Sequence, residues 1–213
     1  MSHFDMATQA GFASDTSPLR NTYQRGGKRL LDVALALLLL PIIAPVLLCI
    51  LCINRAVHGS SLFGHTRIGR DGRSFVCWKV QTMLPSSDAL LARHLTTNAR
   101  AAEEWLRTQK LTNDPRVTGI GRFLRRTSLD ELPQIWNVLR GDMSFVGPRP
   151  ITKNEAHRYG RTLNTYQSVR PGITGHWQIY GRTSGCYQVR VKMDETYCRS
   201  MSVLSDLFLI ALT

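Results

Sequence analysis

The feature that most constrains this chain is an uncharged apolar run from Val33 to Ile53. As a helix with a rise of ~1.5 Å per residue, the run is long enough to cross a bilayer core of ~30 Å. It is too long for the apolar part of a secretory signal, and no convincing small-residue cleavage site follows it. The sequence therefore predicts a membrane helix, which we place at residues 28–54.

Two prolines near the middle of the run, Pro41 and Pro45, argue against a simple crossing. Each removes a backbone donor and bends a helix. Basic residues flank both ends of the run, and the positive-inside rule favours the cytoplasm for all of them. A helix that enters the bilayer, breaks at the prolines and returns places both flanks on that side. We therefore favour a re-entrant helix, with a spanning helix as the alternative.

The charge of the chain points to anionic partners. Lys and Arg number 27 against 15 Asp and Glu, a net charge of +12. Such a balance suits nucleic acid, an acidic membrane surface or phosphate substrates. No recognised nucleic-acid motif is present, and the apolar run does not belong in such a module. Among the five cysteines, Cys49 and Cys52 form a CxxC, but it lies inside the apolar run and has no matching second pair. We therefore favour packed thiols over a metal or redox site, and we expect a reducing compartment and no disulfides.

Local patterns divide the chain into a flexible polar lead-in (residues 1–27), the membrane helix (28–54) and one further domain (55–213). Short apolar runs on either side of Gly69–Gly72 predict a β-hairpin, since Asp-Gly is a strong turn signal. The helical periodicity predicts helices at 86–110, 119–126, 129–140, 151–166 and 185–201. The apolar tail after residue 201 fits an interfacial helix and a core helix equally well.

Chemistry-bearing residues are densest between Arg125 and Pro150. Ser128 is a good helix N-cap, and Glu131 three residues later would complete a capping box. Asp130 and Glu131 would then lie in a helix first turn, where the dipole suits anions, and could flank one substrate group from two directions. In the alternative, purely structural interpretation, Glu131 only caps the helix and Asp130 only complements its dipole. The surrounding arginines favour the functional interpretation, because their forked donors suit phosphate: Arg122, Arg125, Arg126, Arg140 and Arg149.

Several motifs occur in a fixed order: KRLLD, RIGRDGRSF, KVQTM, TSLDELPQIWNVLRGDMSFVGPRP and RPGITGHWQIYGR. From about Lys28 to Thr213 the chain resembles the bacterial sugar transferases that initiate exopolysaccharide and O-antigen repeat units. These are monotopic polyprenyl-phosphate hexose-1-phosphate transferases. The long motif that contains the Asp-Glu dyad is the most specific part of the resemblance.

The resemblance implies a reaction in which Asp130 attacks the β-phosphate of a UDP-hexose and UMP leaves. Polyprenyl phosphate then takes the sugar phosphate from Asp130. Glu131 is implied as a general base or as support for the metal, and Mg²⁺ as a cofactor that bridges Asp130 and diphosphate oxygens. From the resemblance we also expect four phosphate-binding residues: Arg125, Arg149, Lys79 and Arg170. For Arg170, the orientation of a turn is an equally good interpretation.

The resemblance also implies a mostly helical α+β fold with an N-terminal re-entrant membrane helix, a small β-hairpin and amphipathic helices at the membrane interface. Residues 55–213 would form a catalytic domain on the cytoplasmic face of the bacterial inner membrane. There the chain would carry out the first membrane step of exopolysaccharide biosynthesis. The implied partners are a UDP-hexose, polyprenyl phosphate and membrane lipid, without nucleic acid. Homo-oligomers and complexes with other polysaccharide-assembly proteins stay open, and a non-catalytic membrane scaffold for such a complex is the alternative function.

The chain departs from the family pattern at two positions. Ala44 precedes Pro45 where the family commonly has Ser-Pro, so no hydroxyl is available at the break of the helix. Gln81 stands where the family's KFR-type motif has an arginine, so one expected cation near the site is missing. Asp32, at the start of the apolar run, is expected to pair with Lys28, Arg29 or a basic residue of the later domain.

Overall fold

The computed structural model describes residues 22–213 except 85–86, 109–110 and 182–185. Most of the predicted lead-in therefore lies outside the described residues. The chain divides into two compact units. The larger unit contains the described residues up to Pro41 together with His65–Cys77 and Gln134–Thr213, and the smaller unit contains Ile42–Gly64 and Trp78–Pro133.

Helices dominate the secondary structure, and the strands are few and short. In chain order the elements are α1 (Lys28–His58), β1 (Leu62–Ile68), β2 (Ser74–Val80), α2 (Ser87–Thr97), α3 (Ala99–Thr108), α4 (Gly119–Arg126), α5 (Gln134–Arg140), β3 (Ser144–Val146), α6 (Leu163–Gln167), β4 (Gly172–Thr174), α7 (Tyr187–Ser200) and α8 (Val203–Ala211). Tighter 3₁₀ turns occur at Arg70–Gly72, Leu129–Glu131 and Lys153–Thr162, and wider π-helical turns occur at Tyr23–Gly27 and Trp177–Gly181. The predicted mostly helical α+β class is confirmed.

Helix α1 is the predicted membrane helix. The helical segment Tyr23–Val57 is long and apolar enough to cross a membrane, and only 6% of its most apolar window is buried within the structure. A core helix of a soluble protein would be mostly buried, so the exposure of this segment favours contact with lipid. The helix continues through Pro41 and Pro45, and the re-entrant course through a bilayer stays a prediction.

The end of α1 lies beyond the predicted boundary at residue 54. The helix continues to His58, and Gly59 adopts a left-handed φ of +71° while its N–H donates to the Arg55 carbonyl at 2.9 Å. A glycine with positive φ is the usual way to end a helix. The prediction ended the helix where the apolar run ends, but the backbone turns only at this glycine.

In the larger unit, Asp32 binds the start of β3. Its Oδ1 accepts hydrogen bonds from the Ser144 hydroxyl at 2.9 Å and from the Phe145 N–H at 3.0 Å. Within the part of the chain that the structure describes, none of Lys28, Arg29 and the basic residues of the later domain forms a salt bridge with Asp32, so the expected pairing is wrong, although the charge of Lys28 lowers the pKa of Asp32. Lys28 instead forms a salt bridge with Asp206. The other oxygen of the Asp32 carboxylate, Oδ2, is buried and has no hydrogen-bond partner, and burial raises the pKa of Asp32 above its ordinary value.

Asp206 connects the N-terminal and C-terminal segments of the larger unit through hydrogen bonds. This buried carboxylate accepts hydrogen bonds from the hydroxyls of Tyr23 at 2.5 Å and Tyr197 at 2.8 Å, besides the Lys28 ammonium. Tyr23 is itself buried and begins a helical turn that leads into α1. The segment Tyr23–Gly27 is thus helical, although the predicted flexible lead-in includes it.

The predicted β-hairpin is confirmed as β1 and β2. Its turn is closed by the Gly69 N–H, which donates to the Arg73 carbonyl at 2.7 Å, and Asp71 and Gly72 both have positive φ. A second sheet was not predicted. In it β3 pairs in parallel with β4, in the register Ser144↔Gly172 and Val146↔Thr174. Strands of three residues are too short to show an alternating pattern.

Two predicted helices are each divided. The segment 86–110 forms α2 and α3, because Asn98 interrupts it and caps the second helix by accepting from the Ala101 N–H at 3.0 Å. The segment 151–166 begins as a 3₁₀ helix with a capping box of Thr152 and Glu155, and Gly160 has a φ of +49° before α6 starts. Helices α4 and α7 agree with the predicted helices to within two residues.

The apolar tail forms α8, which has one buried and one exposed side. Leu209 packs in a core cluster of the larger unit with Val146, Tyr197, Cys198 and Met201. Several large apolar side chains of the tail are exposed: Val203, Leu204, Leu207, Phe208 and Leu212. The tail therefore combines a core side with an exposed apolar side.

Candidate active site

The Asp-Glu dyad lies on a tight turn of the smaller unit. Asp130 and Glu131 belong to the 3₁₀ turn Leu129–Glu131, and α5 starts only after Pro133. Ser128 precedes the turn with a left-handed φ of +57°, and its side chain makes no capping hydrogen bond. The predicted capping box and the predicted continuous helix over 129–140 are therefore wrong.

The conformation of Ser128 explains how the turn differs from a helix start. A non-glycine residue in the left-handed region costs about 1–2 kcal/mol, and such residues are concentrated at functional sites. The left-handed residue redirects the chain after α4, and Pro133 has no N–H to donate to a helix. The helix-dipole argument consequently does not apply to the dyad, and its electrostatics come from side chains.

Lys79 is the direct partner of Glu131. Its Nζ lies 2.6 Å from Oε1 of Glu131. Lys79 lies near the end of β2, so the hairpin supplies the cation and the 3₁₀ turn supplies the carboxylate. Both residues were predicted to be site residues, and the structure brings them together.

Asp130 is more buried than its neighbour, with 7% of its surface exposed. Burial raises the pKa of the Asp130 carboxyl above its ordinary value, and the negative charge of Glu131 adds to this effect. The charges of Lys79 and Arg125 act in the opposite direction on the same pKa. A carboxylate of raised basicity beside two cations is suited to nucleophilic or base chemistry on an anionic substrate.

Arg125 is held at the site by Thr82. Its Nε donates to the Thr82 hydroxyl at 2.9 Å. Helix α4 approaches this segment closely, because a Cβ on Gly121 would lie only 2.2 Å from the Thr82 carbonyl oxygen. The Thr118 N–H donates to the same oxygen at 3.2 Å. Thr82 lies in the KVQTM motif, but no role was predicted for it from the sequence.

An open cleft of about 580 Å³ lies beside Arg125 in the smaller unit. It is lined by Met83, Arg122, Arg125 and residues 111–117. Within it, Arg116 is paired with Asp114 at 2.7 Å and lies over the Trp105 ring at 5.1 Å. Burial raises the pKa of Asp114, but the Arg116 hydrogen bonds outweigh it and hold that pKa below its ordinary value. The cleft is therefore an open recess lined by three arginines, and one of them, Arg125, also acts on Asp130.

Gln81 does not replace the charge of the expected arginine. Its side-chain amide donates to the Met83 carbonyl at 2.7 Å. Its backbone is also fixed, because the N–H donates to Ser61 and the carbonyl accepts from the buried Asn54 side chain at 2.6 Å. Gln81 thus organises the backbone after β2 and adds no cation.

Arg149 and Arg170 belong to the larger unit. The Nε of Arg170 donates to the Gly141 carbonyl at 2.8 Å, and Arg29 donates to the carbonyls of Val138 and Leu139. The two guanidinium groups thereby satisfy carbonyls at the C-terminal end of α5. For Arg170, this contact supports the turn-orienting interpretation, and phosphate binding stays a prediction.

The dyad suits a magnesium ion that is shared with a substrate. Among the described residues, no group of three or more His, Cys, Asp or Glu side chains is arranged to hold a metal. Magnesium, however, is commonly bound by one or two protein carboxylates together with substrate phosphates and waters. Asp130 is the residue that would hold such an ion, since Glu131 already binds Lys79.

Comparison with known proteins identifies the family. The family model described as "Bacterial sugar transferase" matches residues 23–213. The match covers both units of the described structure, including the dyad turn and the Pro148-Arg149-Pro150 loop. The chain belongs to the bacterial sugar transferase family.

Curated relatives agree with this assignment. A UDP-galactose-lipid carrier transferase of Erwinia amylovora is 42% identical over 86% of this chain and 38% of the relative. The exopolysaccharide production protein ExoY of Sinorhizobium fredii is 44% identical over 86% of this chain and 81% of the relative. An undecaprenyl-phosphate galactose phosphotransferase of Salmonella typhimurium is 40% identical over 86% of this chain. The chain spans only 38% of the length of the Erwinia protein and 38% of the length of the Salmonella protein.

Proposed function

We propose that this chain is a polyprenyl-phosphate sugar phosphotransferase. It moves a hexose-1-phosphate from a UDP-hexose to undecaprenyl phosphate and releases UMP, as the first membrane step of exopolysaccharide biosynthesis. The observation that carries the proposal is the buried Asp130, with Arg125 and the Lys79–Glu131 pair around it, in a chain of this family.

The names of the relatives support the two substrates. The Erwinia protein is named for UDP-galactose and a lipid carrier, and the Salmonella protein for undecaprenyl phosphate and galactose. An Escherichia coli relative, 40% identical over 92% of this chain, is named for UDP-glucose and undecaprenyl phosphate. Galactose and glucose are accordingly the first donors to test.

The proposed reaction has two displacement steps at one phosphorus atom. An Oδ of Asp130 attacks the β-phosphorus of the UDP-hexose, and the bond to the bridging oxygen breaks so that UMP leaves with that oxygen. A phosphate oxygen of undecaprenyl phosphate then attacks the same phosphorus. The aspartyl–phosphorus bond breaks, Asp130 is regenerated, and undecaprenyl diphosphate hexose is the product.

Positive charge is what allows a carboxylate to approach an anionic diphosphate. Lys79 and Arg125 supply this charge on the protein side, and both lower the pKa of Asp130, which keeps it ionised for attack. When bound, Mg²⁺ would neutralise diphosphate oxygens and stabilise the departing UMP. Arg149 is our further candidate for phosphate binding.

The exposed apolar surface of α1 supports a membrane location. Leu30, Leu38, Ile42 and Leu48 are all largely exposed in the structure. Burial of such side chains in lipid is favourable, at about 25 cal/mol per Å² removed from water. We propose the bacterial inner membrane, with the catalytic residues on the cytoplasmic side, where UDP-sugars are available.

The test is UMP release by the purified chain in nanodiscs with undecaprenyl phosphate, Mg²⁺ and a panel of UDP-sugars. We expect release from one or a few donors, and its loss in Asp130→Ala and in EDTA. Asp88→Asn is the matched control, because it removes a carboxylate from α2 of the same unit. Release from no donor by folded protein would contradict the proposal and favour the scaffold alternative.

A further inference from the structure

The backbone of Arg149 is held by one pair of residues in α7, Arg190 and Asp194. The Nη2 of Arg190 donates to the Arg149 carbonyl at 3.2 Å. Asp194 lies on the other side of the same ion pair, close enough to Arg149 for the backbone and the charge of Arg149 to lower the pKa of its carboxyl. Arg190 and Asp194 are one helical turn apart, so they point in the same direction from α7.

The two residues of this pair are deeply buried. Arg190 is 6% exposed and Asp194 is 2% exposed. Their charged groups lie 3.8 Å apart, and Tyr159 donates to Asp194 at 2.6 Å. Buried ion pairs add little net stability, because desolvation offsets their attraction. A buried pair that binds the Arg149 carbonyl through one member and acts on the charge of Arg149 through the other is better explained by the placement of Arg149.

Neighbouring contacts extend this restraint to the next residue of the loop. Arg67 donates to the Pro150 carbonyl at 3.4 Å. Glu155 joins the two arginines, since it lies 3.3 Å from both Arg67 Nη1 and Arg190 Nη1. Pro148 and Pro150 further restrict the backbone on either side of Arg149. Only the side-chain torsions of Arg149 remain free to vary.

We propose that Arg190 and Asp194 are positioning residues, which hold the Arg149 backbone so that its guanidinium can bind a phosphate as part of the transferase. This inference rests on the proposed function. The phosphate belongs either to the sugar nucleotide or to the polyprenyl phosphate, and both present the same chemistry to a guanidinium. Fixing a binding group in advance lowers the entropy lost on binding and improves orientation for reaction.

The first experiment does not depend on activity. Binding of inorganic pyrophosphate to the purified chain is measured by calorimetry, beside hydrogen exchange of the peptide that covers 147–152. We expect Asp194→Asn and Arg149→Ala each to weaken binding about ten-fold, and Asp194→Asn to speed exchange in that peptide. Tyr159→Phe is a milder second variant that removes only one donor to Asp194 and should act in the same direction.

The second experiment is a double-mutant cycle on UMP release. Asp194→Asn should raise the KM of one substrate about ten-fold in the wild-type background and less than about three-fold in Arg149→Ala. The substrate whose KM rises identifies the source of the phosphate. Glu195→Gln is the control, since Glu195 lies next to Asp194 on α7 but pairs with the exposed Arg199 at 2.6 Å.

Three results would overturn the inference. They are unchanged pyrophosphate binding and exchange in folded Asp194→Asn, full additivity of Asp194→Asn and Arg149→Ala, and the absence of pyrophosphate binding by the wild-type chain. If pyrophosphate binding is coupled between Asp194 and Arg149 but no UDP-sugar is turned over, the anion site stands and the proposed function fails.

Discussion

Lys79 Nζ and Glu131 Oε1 lie 2.6 Å apart, which joins the end of the hairpin to the turn that carries Asp130. The contact has two effects on the site. It brings a positive charge close enough to lower the pKa of Asp130, and it engages the second carboxylate of the dyad. Lys79 therefore lowers the pKa of Asp130 and Glu131 raises it, and each effect can be tested separately.

Removal of Lys79 should move the acidic limb of the pH–rate profile to higher pH. Lys79 is the largest of the charges that lower the pKa of Asp130, so its loss raises that pKa, and Asp130 must be ionised to attack. For Lys79→Met we expect this shift and a loss of about 10- to 100-fold in kcat/KM at neutral pH. The measurement is kcat/KM of UMP release against pH.

Lys153→Met is the control for the Lys79 variant, because Lys153 is an exposed lysine of the Lys153–Thr162 turn. Its profile should coincide with that of the wild type. An acidic limb that stays in place or moves to lower pH in Lys79→Met would show that Lys79 does not act through the ionisation of Asp130.

Glu131→Gln should shift the same limb in the opposite direction. The charge of Glu131 raises the pKa of Asp130, so its removal lowers that pKa, and the limb moves to lower pH. If Glu131 is also a general base, kcat falls at every pH, but the direction of the shift is unchanged. Glu103→Gln, an exposed position on α3, provides the comparison. A shift to higher pH would contradict the account.

Thr82→Val should weaken substrate binding through Arg125. The change removes the hydroxyl that accepts from Arg125 Nε and preserves the size of a buried side chain. Loss of one such hydrogen bond is worth about 1 kcal/mol, so we expect a rise of about three- to ten-fold in the donor KM. Thr96→Val, on the exposed face of α2, should leave KM unchanged. An unchanged KM in Thr82→Val would exclude Thr82 as a positioning residue.

The stability of the chain should depend on pH through Asp194. Burial raises the pKa of Asp194 to about 6 in the folded chain, against 3.8 as its ordinary value, despite the Tyr159 hydrogen bond and the charges of Arg190 and Arg149. A raised folded-state pKa gives stability that is complete below pH 4 and is lost as pH rises through 6. The contribution amounts to at most about 3 kcal/mol.

The measurement is thermal unfolding in detergent from pH 4 to pH 8, with Asp194→Asn as the comparison that cancels all other titrating groups. The wild type should lose stability relative to Asp194→Asn as pH rises through 6. A difference between the two proteins that is independent of pH, or that grows in favour of the wild type, would contradict the raised pKa.

Long patterns and composition were sufficient to predict much of the fold. The apolar run predicted α1, and Gly69–Gly72 predicted the hairpin, because both signals are local and strong. The parallel pairing of β3 with β4 could not be predicted from three-residue strands. It depends on the close approach of glycines, since a Cβ on Gly172 would lie 2.1 Å from the Gly147 nitrogen.

The site was predictable as a set of residues, but its geometry was not. Asp130, Glu131, Lys79 and Arg125 all came from motifs, and the structure brings them together in one unit. The predicted capping box was wrong because Ser128 adopts a left-handed conformation, which a helix-cap pattern in the sequence does not reveal. Arg190 and Asp194 carry only the spacing of an ordinary helical ion pair, so nothing in the sequence connects them with Arg149.

The most direct test of the central claim is the covalent state of Asp130. The purified chain is incubated with Mg²⁺ and the UDP-sugar that it turns over, without polyprenyl phosphate, and its peptides are analysed by mass spectrometry. The account predicts a hexose-phosphoryl group on the peptide that contains Asp130, its loss on addition of undecaprenyl phosphate, and no adduct in Asp130→Asn. Full turnover by a chain that never carries the adduct, or an adduct on another residue, would contradict Asp130 as the nucleophile.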